Sequence, residues 1–167
     1  MISYDTEIKI YSAEYEAAVK ELMTDLQRCL IELDEKKVLR MDEDYGKKYL
    51  NYLLEDISEK GGRIFVAVKS GRVTGAVVCK IIADGDKERQ ITSRPVKYGF
   101  ISDLIVEKEE RGKGVGKMLL SAAEEYFAES GCEFVQLEVF AANSAALKTY
   151  RNSGYHEDCF ILYKPLN

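Results

Sequence analysis

Apolar positions recur along the chain with two periods, and the switch between them marks out its elements. Residues 8–10 read as a short strand. Tyr15, Ala18, Val19, Leu22, Met23, Leu26, Leu30 and Leu33 then follow the three-and-four spacing of one helix face, with Ser12 placed to cap it and Glu14 in its first turn. A charged stretch over residues 34–44 predicts a loop. Tyr45, Tyr49, Tyr52, Leu53 and Ile57 predict a second helix, closed by Gly61 and Gly62. Residues 64–68 and 73–82 are β-rich runs that meet at Ser70-Gly71, which predicts a tight hairpin. Residues 83–93 are polar and carry Asp84-Gly85-Asp86, a connecting loop for which a lid is the alternative reading.

Past this loop, residues 97–106 predict another strand. Val115, Leu119, Ala122, Ala123, Tyr126 and Phe127 form one face of a third helix, which Gly131 stops. Residues 134–140 alternate, with Val135, Leu137 and Val139 on one side and Gln136, Glu138 and Phe140 on the other. A short helix over residues 144–153 follows, with Asn143 placed to cap it, and residues 155–166 have room for one or two closing strands. This order predicts an α/β fold with a mixed sheet and helices on both faces.

Composition narrows the picture. At 167 residues, with 46% hydrophobic and 32% charged residues, the chain suits a single domain with a full core. No apolar run approaches a membrane span, and the start MISYDTEIKI has neither a basic stretch nor an apolar signal core, so a cytoplasmic location away from membranes is expected. Cys29, Cys79, Cys132 and Cys159 are isolated and the chain has one histidine, which argues against disulfides and against a metal site. Net charge is −5 and no basic stripe interleaves with aromatics, so nucleic acid is not an expected partner. The acidic balance modestly favours the approach of cationic acceptors such as amines. The cluster Asp42, Glu43 and Asp44 beside Tyr45 and Tyr49 could meet such an amine, although acidic residues also simply suit a helix start.

One stretch organises the rest. Between the strand ending at Val106 and the helix beginning at Val115 stand Gly112, Gly114 and Gly116, so no Cβ intervenes between the turn and a ligand. Main-chain N–H groups at the helix start can then converge on an anion, and the expected one is a phosphate. Gly112 and Gly116 enclose three residues where a Walker loop needs four, and Met118 follows Lys117 where it needs Ser or Thr. The dinucleotide fingerprint would need its third glycine where Lys117 stands.

The pattern R-G-x-G-x-G, from Arg111 to Gly116, resembles the acyl-CoA loop of the GCN5-related N-acetyltransferases, the GNAT superfamily. Asn143, Ala146 and Tyr150 stand in N-x-x-A-x-x-x-Y and are followed by Gly154-Tyr155, in the order that superfamily shows. The resemblance covers residues 64–166, and the first 60 only as two helices in the expected place. It implies a mainly antiparallel central sheet of about six to seven strands. Two of these strands diverge to admit the pantetheine arm. It also implies acetyl-CoA as cosubstrate, a primary amine as acceptor and, in many members, a homodimer. The alternative is an acyl-CoA-binding regulatory or interaction domain without turnover.

Carried onto this chain, the resemblance gives each residue a role. The N–H groups of Arg111, Gly112, Lys113, Gly114, Val115 and Gly116 would bind the pyrophosphate. Main-chain groups of Leu104, Ile105 and Val106 would bind the pantetheine, with one N–H polarising the thioester carbonyl. Asn143 would also bond the pantetheine amide. An alkyl ammonium with pKa about 10.4 is almost wholly protonated at neutral pH, so a base is useful. Glu138 lies where some members carry a catalytic Glu, and Asp103 competes with it. Polyamine acetyltransferases carry a Glu where this chain has Ser102, so that assignment does not transfer. A water relay without a single base also remains open. Tyr150 would return a proton to the departing thiolate.

Overall fold

A computed structural model describes residues 5–83 and 91–166. Of residues 83–93, for which a lid is one reading, residues 84–90 lie outside the described residues. The elements in order are β1 (Thr6–Ile10), a 3-10 turn (Ala13–Tyr15), α1 (Glu16–Leu33), α2 (Tyr45–Lys60), β2 (Gly62–Lys69) and β3 (Arg72–Ile82). They continue with β4 (Tyr98–Val106), a second 3-10 turn (Lys108–Glu110), α3 (Val115–Glu129), β5 (Val135–Leu137) and α4 (Ser144–Asn152).

The sheet runs β1-β2-β3-β4-β5. The first four strands pair antiparallel, and β5 joins β4 in parallel through the crossover helix α3. Successive residues of β2 and β3 point to opposite faces, and both faces are buried, which is why these strands read as unbroken apolar runs. Ile64, Val66, Ala76 and Val78 meet Val19, Met23, Leu50 and Leu53 of α1 and α2. Phe65, Ala67, Val77 and Cys79 meet Val115, Leu119, Leu120 and Phe127 of α3. Helices therefore cover both faces, as the element order predicts.

Four expectations are corrected. Among the described residues the sheet has five strands, not six to seven. The alternation over residues 134–140 yields only the three residues of β5, because β4 offers partners only at Gly99, Phe100 and Ile101. Residues 155–166 form no closing strand and remain irregular. At the first helix, Ser12 does not cap; its hydroxyl donates to Glu14, and a 3-10 turn precedes α1.

The loop after α1 is built by one carboxylate. Asp34, almost fully buried, accepts from the N–H groups of Lys36, Val38 and Leu39 at 3.1, 2.7 and 2.8 Å. Those bonds hold its carboxyl below the usual range. Gln27 of α1 adds a bond to the Arg40 carbonyl at 2.7 Å, so α2 starts at a fixed place.

There α1 and α2 touch at Gly46. A Cβ on this residue would stand 2.4 Å from the Lys20 carbonyl oxygen and 2.6 Å from the Thr24 hydroxyl. Alanine would gain about 1 kcal/mol of helix propensity, but overpacking against main chain costs about 1–3 kcal/mol and forces the helices apart. Gly46→Ala is expected to lower stability by about 1–2 kcal/mol, read as a reduced denaturant midpoint without a change in slope.

Candidate active site

The site is where β4 loses one of its neighbours. β5 pairs with β4 only at Gly99↔Val135, Phe100↔Gln136 and Ile101↔Leu137, so among the described residues the edge of β4 that faces away from β3 has no strand against it from Ser102 to Val106. A β-bulge sits at the same point. Val78 of β3 pairs with Asp103 and Cys79 with Ile101, which leaves Ser102 as the extra residue. Bulges bend and twist a strand, and this one coincides with the end of the β4–β5 ladder. Leu104, Ile105 and Val106 therefore lie on the strand whose outer edge is open.

β4 leads into the glycine turn. Gly112 and Gly114 adopt φ of +76° and +87°, a left-handed backbone that glycine enters without strain. Among the described residues, no main-chain N–H from Gly112 to Lys117 has a main-chain acceptor, whereas Met118 donates to the Gly114 carbonyl at 3.1 Å. Six N–H groups, from Gly112, Lys113, Gly114, Val115, Gly116 and Lys117, are thus available at the positive end of α3. The Arg111 side chain is turned back, its Nε donating to the Val106 carbonyl at 2.9 Å, so it braces the turn against β4. Lys113 pairs with Glu110 at 3.3 Å, and Glu110 also pairs with Lys69 at 3.1 Å.

On the α2 side of β4 lies a buried acid. Asp103 is 6% exposed, accepts from the Tyr49 hydroxyl at 3.0 and 3.1 Å and from the Ser102 hydroxyl at 2.7 Å. Burial pushes its carboxyl up from the ordinary range, against the pull of Ser102, Tyr49 and Lys80 toward the anion. Tyr49 stacks between Tyr45 and Tyr52, at ring separations of 5.3 and 6.1 Å. Burial, then Asp103, raises the Tyr49 phenol, and Tyr45 is pushed up to about 12 for the same two reasons. Lys80 approaches the Tyr52 ring and pairs with Asp56 at 2.7 Å. Asp56 also bonds Lys60, and these cations hold its carboxyl low.

Tyr150 sits on the other face. It packs with the α3 cluster, its ring edge-on to Tyr155 at 6.0 Å, and burial raises its phenol. Among the described residues its hydroxyl makes no hydrogen bond, whereas Tyr155 donates to Glu124 at 3.0 Å. Asn143 caps α4 as expected, accepting from the Ala146 N–H at 3.1 Å. Glu138 follows the last residue of β5 and is exposed.

The arrangement thus brings Ser102, Asp103 and Tyr49 together, with Tyr150 across the sheet and Glu138 at its surface. The Asp42 to Asp44 cluster opens elsewhere. Asp42 and Asp44, with Tyr45, line a concavity of about 660 Å³ shared with Lys20, Arg28 and Lys47, of which Lys20 pairs with Glu16 and Arg28 with Asp25. The contact of Tyr49 with Asp103 is what sequence reading did not supply. The tyrosines at 45, 49 and 52 were legible as one helix face, but a partner 54 positions away has no local signal.

Glycine turn, open edge and buried acid form the frame on which comparison with known proteins bears. The model of the Acetyltransferase (GNAT) family matches residues 19–155. The chain belongs to that family. Membership places this GNAT protein among the acyltransferases. It is similar to N-alpha-acetyltransferase MAK3 of Arabidopsis thaliana, with 36% identity over 91 residues, 54% of this chain and 43% of that protein. The match thus spans less than half of that relative's length. A mutant of the BH1408 protein from Bacillus halodurans shares the fold with a TM-score of 0.83 at 18% identity, over 96% of this chain and 99% of that one. An aminoglycoside N-acetyltransferase, AAC(6')-Iy, solved in complex with CoA, superposes with a TM-score of 0.74 at 16% identity, over 97% and 95% of the two chains. No helix among the described residues is long and apolar enough to cross a membrane.

The raised carboxyl of Asp103 gives a pH signature. Folding lifts this group above its ordinary value of 3.8, so its charged form opposes folding and stability falls as pH rises through the folded pKa. Asp103→Asn keeps an acceptor for Tyr49 and Ser102 without the charge. Its stability relative to wild type is expected to be greater at about pH 8 than at about pH 4, measured by denaturant unfolding at both.

Proposed function

We propose that this GNAT protein transfers the acetyl group of acetyl-CoA directly to a primary amine, on a small molecule or at a protein N-terminus or lysine. The single observation that carries the reading is the run of acceptor-free N–H groups from Gly112 to Lys117 beside the open edge of β4. Those donors suit a diphosphate, and the open edge suits an extended amide-bearing arm that hydrogen-bonds as a strand does. The CoA complex of the aminoglycoside enzyme and the N-alpha-acetyltransferase relative support this choice of coenzyme and of amine acceptors.

The coenzyme supplies an activated thioester; the chain's own residues do the rest. Gly112 to Gly116 hold the phosphates, and main-chain groups of Leu104, Ile105 and Val106 align the arm and offer an N–H to the carbonyl oxygen. Asp103 takes a proton from the acceptor ammonium, since a carboxyl raised by burial is a better base than an exposed one. The amine nitrogen then forms its bond to the carbonyl carbon as the carbon–sulfur bond breaks, and the nitrogen gives up its second proton to solvent. Tyr150, whose hydroxyl is uncommitted, delivers a proton to the sulfur and regains one from solvent. Asn143, at the start of α4, bonds the arm's amide. Glu138 is the competing base and differs from Asp103 in being exposed.

The test is turnover on a panel of polyamines, aminoglycosides, amino acids and N-terminal peptides, with thiol release monitored. Tyr150→Phe and Asp103→Asn are each expected to lower kcat about 100-fold or more with coenzyme Kd unchanged, and Glu138→Gln to leave kcat within about threefold. Loss of activity in Glu138→Gln alone would transfer the base role to Glu138. Coenzyme binding without turnover on any amine would favour a binding domain.

A second prediction concerns the turn itself. A Cβ at Gly114 would meet nothing within 4 Å, but the left-handed backbone there costs a non-glycine residue about 1–2 kcal/mol. Gly114→Ala is expected to stay folded and to raise coenzyme Kd about tenfold, measured by calorimetric titration.

A further inference from the structure

Among the described residues, only hydroxyls hold the Asp103 carboxylate. That of Tyr49 spans the fork, donating to Oδ1 at 3.0 Å with Oδ2 at 3.1 Å, while that of Ser102 donates to Oδ2 at 2.7 Å. A carboxylate has about four acceptor sites, so two donors leave room for a proton, and Oδ1 is the less engaged oxygen. Neither donor carries a charge. The two lysines on Asp56 hold its carboxyl low, which takes away its basicity; a hydroxyl favours the anion more gently. Tyr49 also keeps its own hydrogen. Burial, then Asp103, raises its phenol, so it donates to the carboxylate without surrendering the proton.

The direction of that hydroxyl is fixed by a row of rings. Tyr45, Tyr49 and Tyr52 recur at helical spacing on α2, and Tyr49 is the middle ring, stacked on the others at 5.3 and 6.1 Å. Both ends of the row are tied. Tyr45 donates to Gln27 of α1 at 3.3 Å, and Gln27 is itself bonded to the Arg40 carbonyl at 2.7 Å. At the other end Lys80 of β3 stands over the Tyr52 ring at 5.1 Å and is held by Asp56 at 2.7 Å. Three elements thus decide where one hydroxyl points.

We propose, on the reading of Asp103 as the base, that Tyr49 is a positioning residue whose hydroxyl holds the Asp103 carboxylate in the charged form that accepts a proton. Burial alone favours the neutral acid, which cannot serve as a base. The groups that act on Asp103 are Tyr45 and Tyr49 from α2, Lys80 from β3 and Ser102 beside it on β4, while α1 brings the neutral Gln27 to Tyr45. Phenols and lysines do not titrate in the acid range, and Asp56 behind Lys80 is held low. A change in the titration of Asp103 on loss of the Tyr49 hydroxyl therefore reports that one bond.

The experiment follows the Asp103 carboxyl by carbon-13 NMR across pH on the full chain, with Asp103→Asn identifying its signal. The pH profile of kcat/KM is measured beside it, with an amine that the chain acetylates. Tyr49→Phe keeps the stacking ring and removes only the hydroxyl. The expected result is an Asp103 midpoint about one pH unit higher, with the acid limb of kcat/KM moved by the same amount and coenzyme Kd unchanged. Tyr52→Phe, at the exposed end of the row, should move none of these. A midpoint that stays put in Tyr49→Phe overturns the proposal and leaves Tyr49 as packing, while Asp103 keeps the base role if Asp103→Asn is inactive. A midpoint that moves without the acid limb also overturns it, because the base is then another group. Absence of turnover on every amine overturns it together with the reading of Asp103, whatever the midpoint does.

Discussion

Everything at the candidate site depends on β4 keeping one neighbour and losing the other. Its antiparallel ladder with β3 continues to Val106, while its parallel ladder with β5 ends at Ile101. The bulge at Ser102 accounts for the difference, because an extra residue turns the strand more sharply than a three-residue partner can follow. The same bulge resets which side chains face which helix layer. Ile101 packs in the α3 layer and Ile105 in the α1 and α2 layer, and Asp103 shares the latter face. One irregularity therefore opens an edge of unpaired main chain and, at the next residue, turns a carboxylate toward Tyr49.

A carboxylate in that position is costly to keep charged, and the surrounding groups only partly offset the cost. Tyr49 and Ser102 satisfy its oxygens with neutral donors, and no cation touches it among the described residues. Asp56, one layer away, is the contrast. Two lysines bind it and its carboxyl is held low, which is the behaviour of an ion pair that fastens α2 to β3. Two buried acids in one fold thus diverge in opposite directions, the one between two lysines held low and the one with neutral donors raised.

Much of this was legible before the fold was seen, and the exceptions share a cause. β2 and β3 are buried on both faces, so their identity needs only an apolar run; α1 and α3 need only a helical period; the turn from Gly112 to Gly116 needs only its spacing. Asn143 capping α4 is likewise a local matter, three residues wide. What failed depends on partners. Residues 134–140 alternate throughout, but alternation records which side chains can share a face, and a strand also needs an edge opposite each residue; β4 supplies three. Residues 155–166 have strand composition but pair with no strand. Gly46 gave no signal, because its reason is the carbonyl of Lys20 on another helix. Tyr49 and Asp103 are each visible as residue types, and their meeting is a property of the packed layers alone.

The charge of the chain raises a last question, since an overall −5 sits awkwardly with an anionic coenzyme. Local pairing resolves it. Glu107 is paired with Arg72, and Glu110, the buried acid just before the turn, is gripped by both Lys69 and Lys113, which hold its carboxyl low. Within residues 107–117, Lys108, Arg111, Lys113 and Lys117 outnumber Glu107, Glu109 and Glu110 by one. A phosphate at the turn would therefore meet N–H groups and a slightly positive neighbourhood, while acidic residues elsewhere are screened beyond about 8–10 Å at ordinary salt.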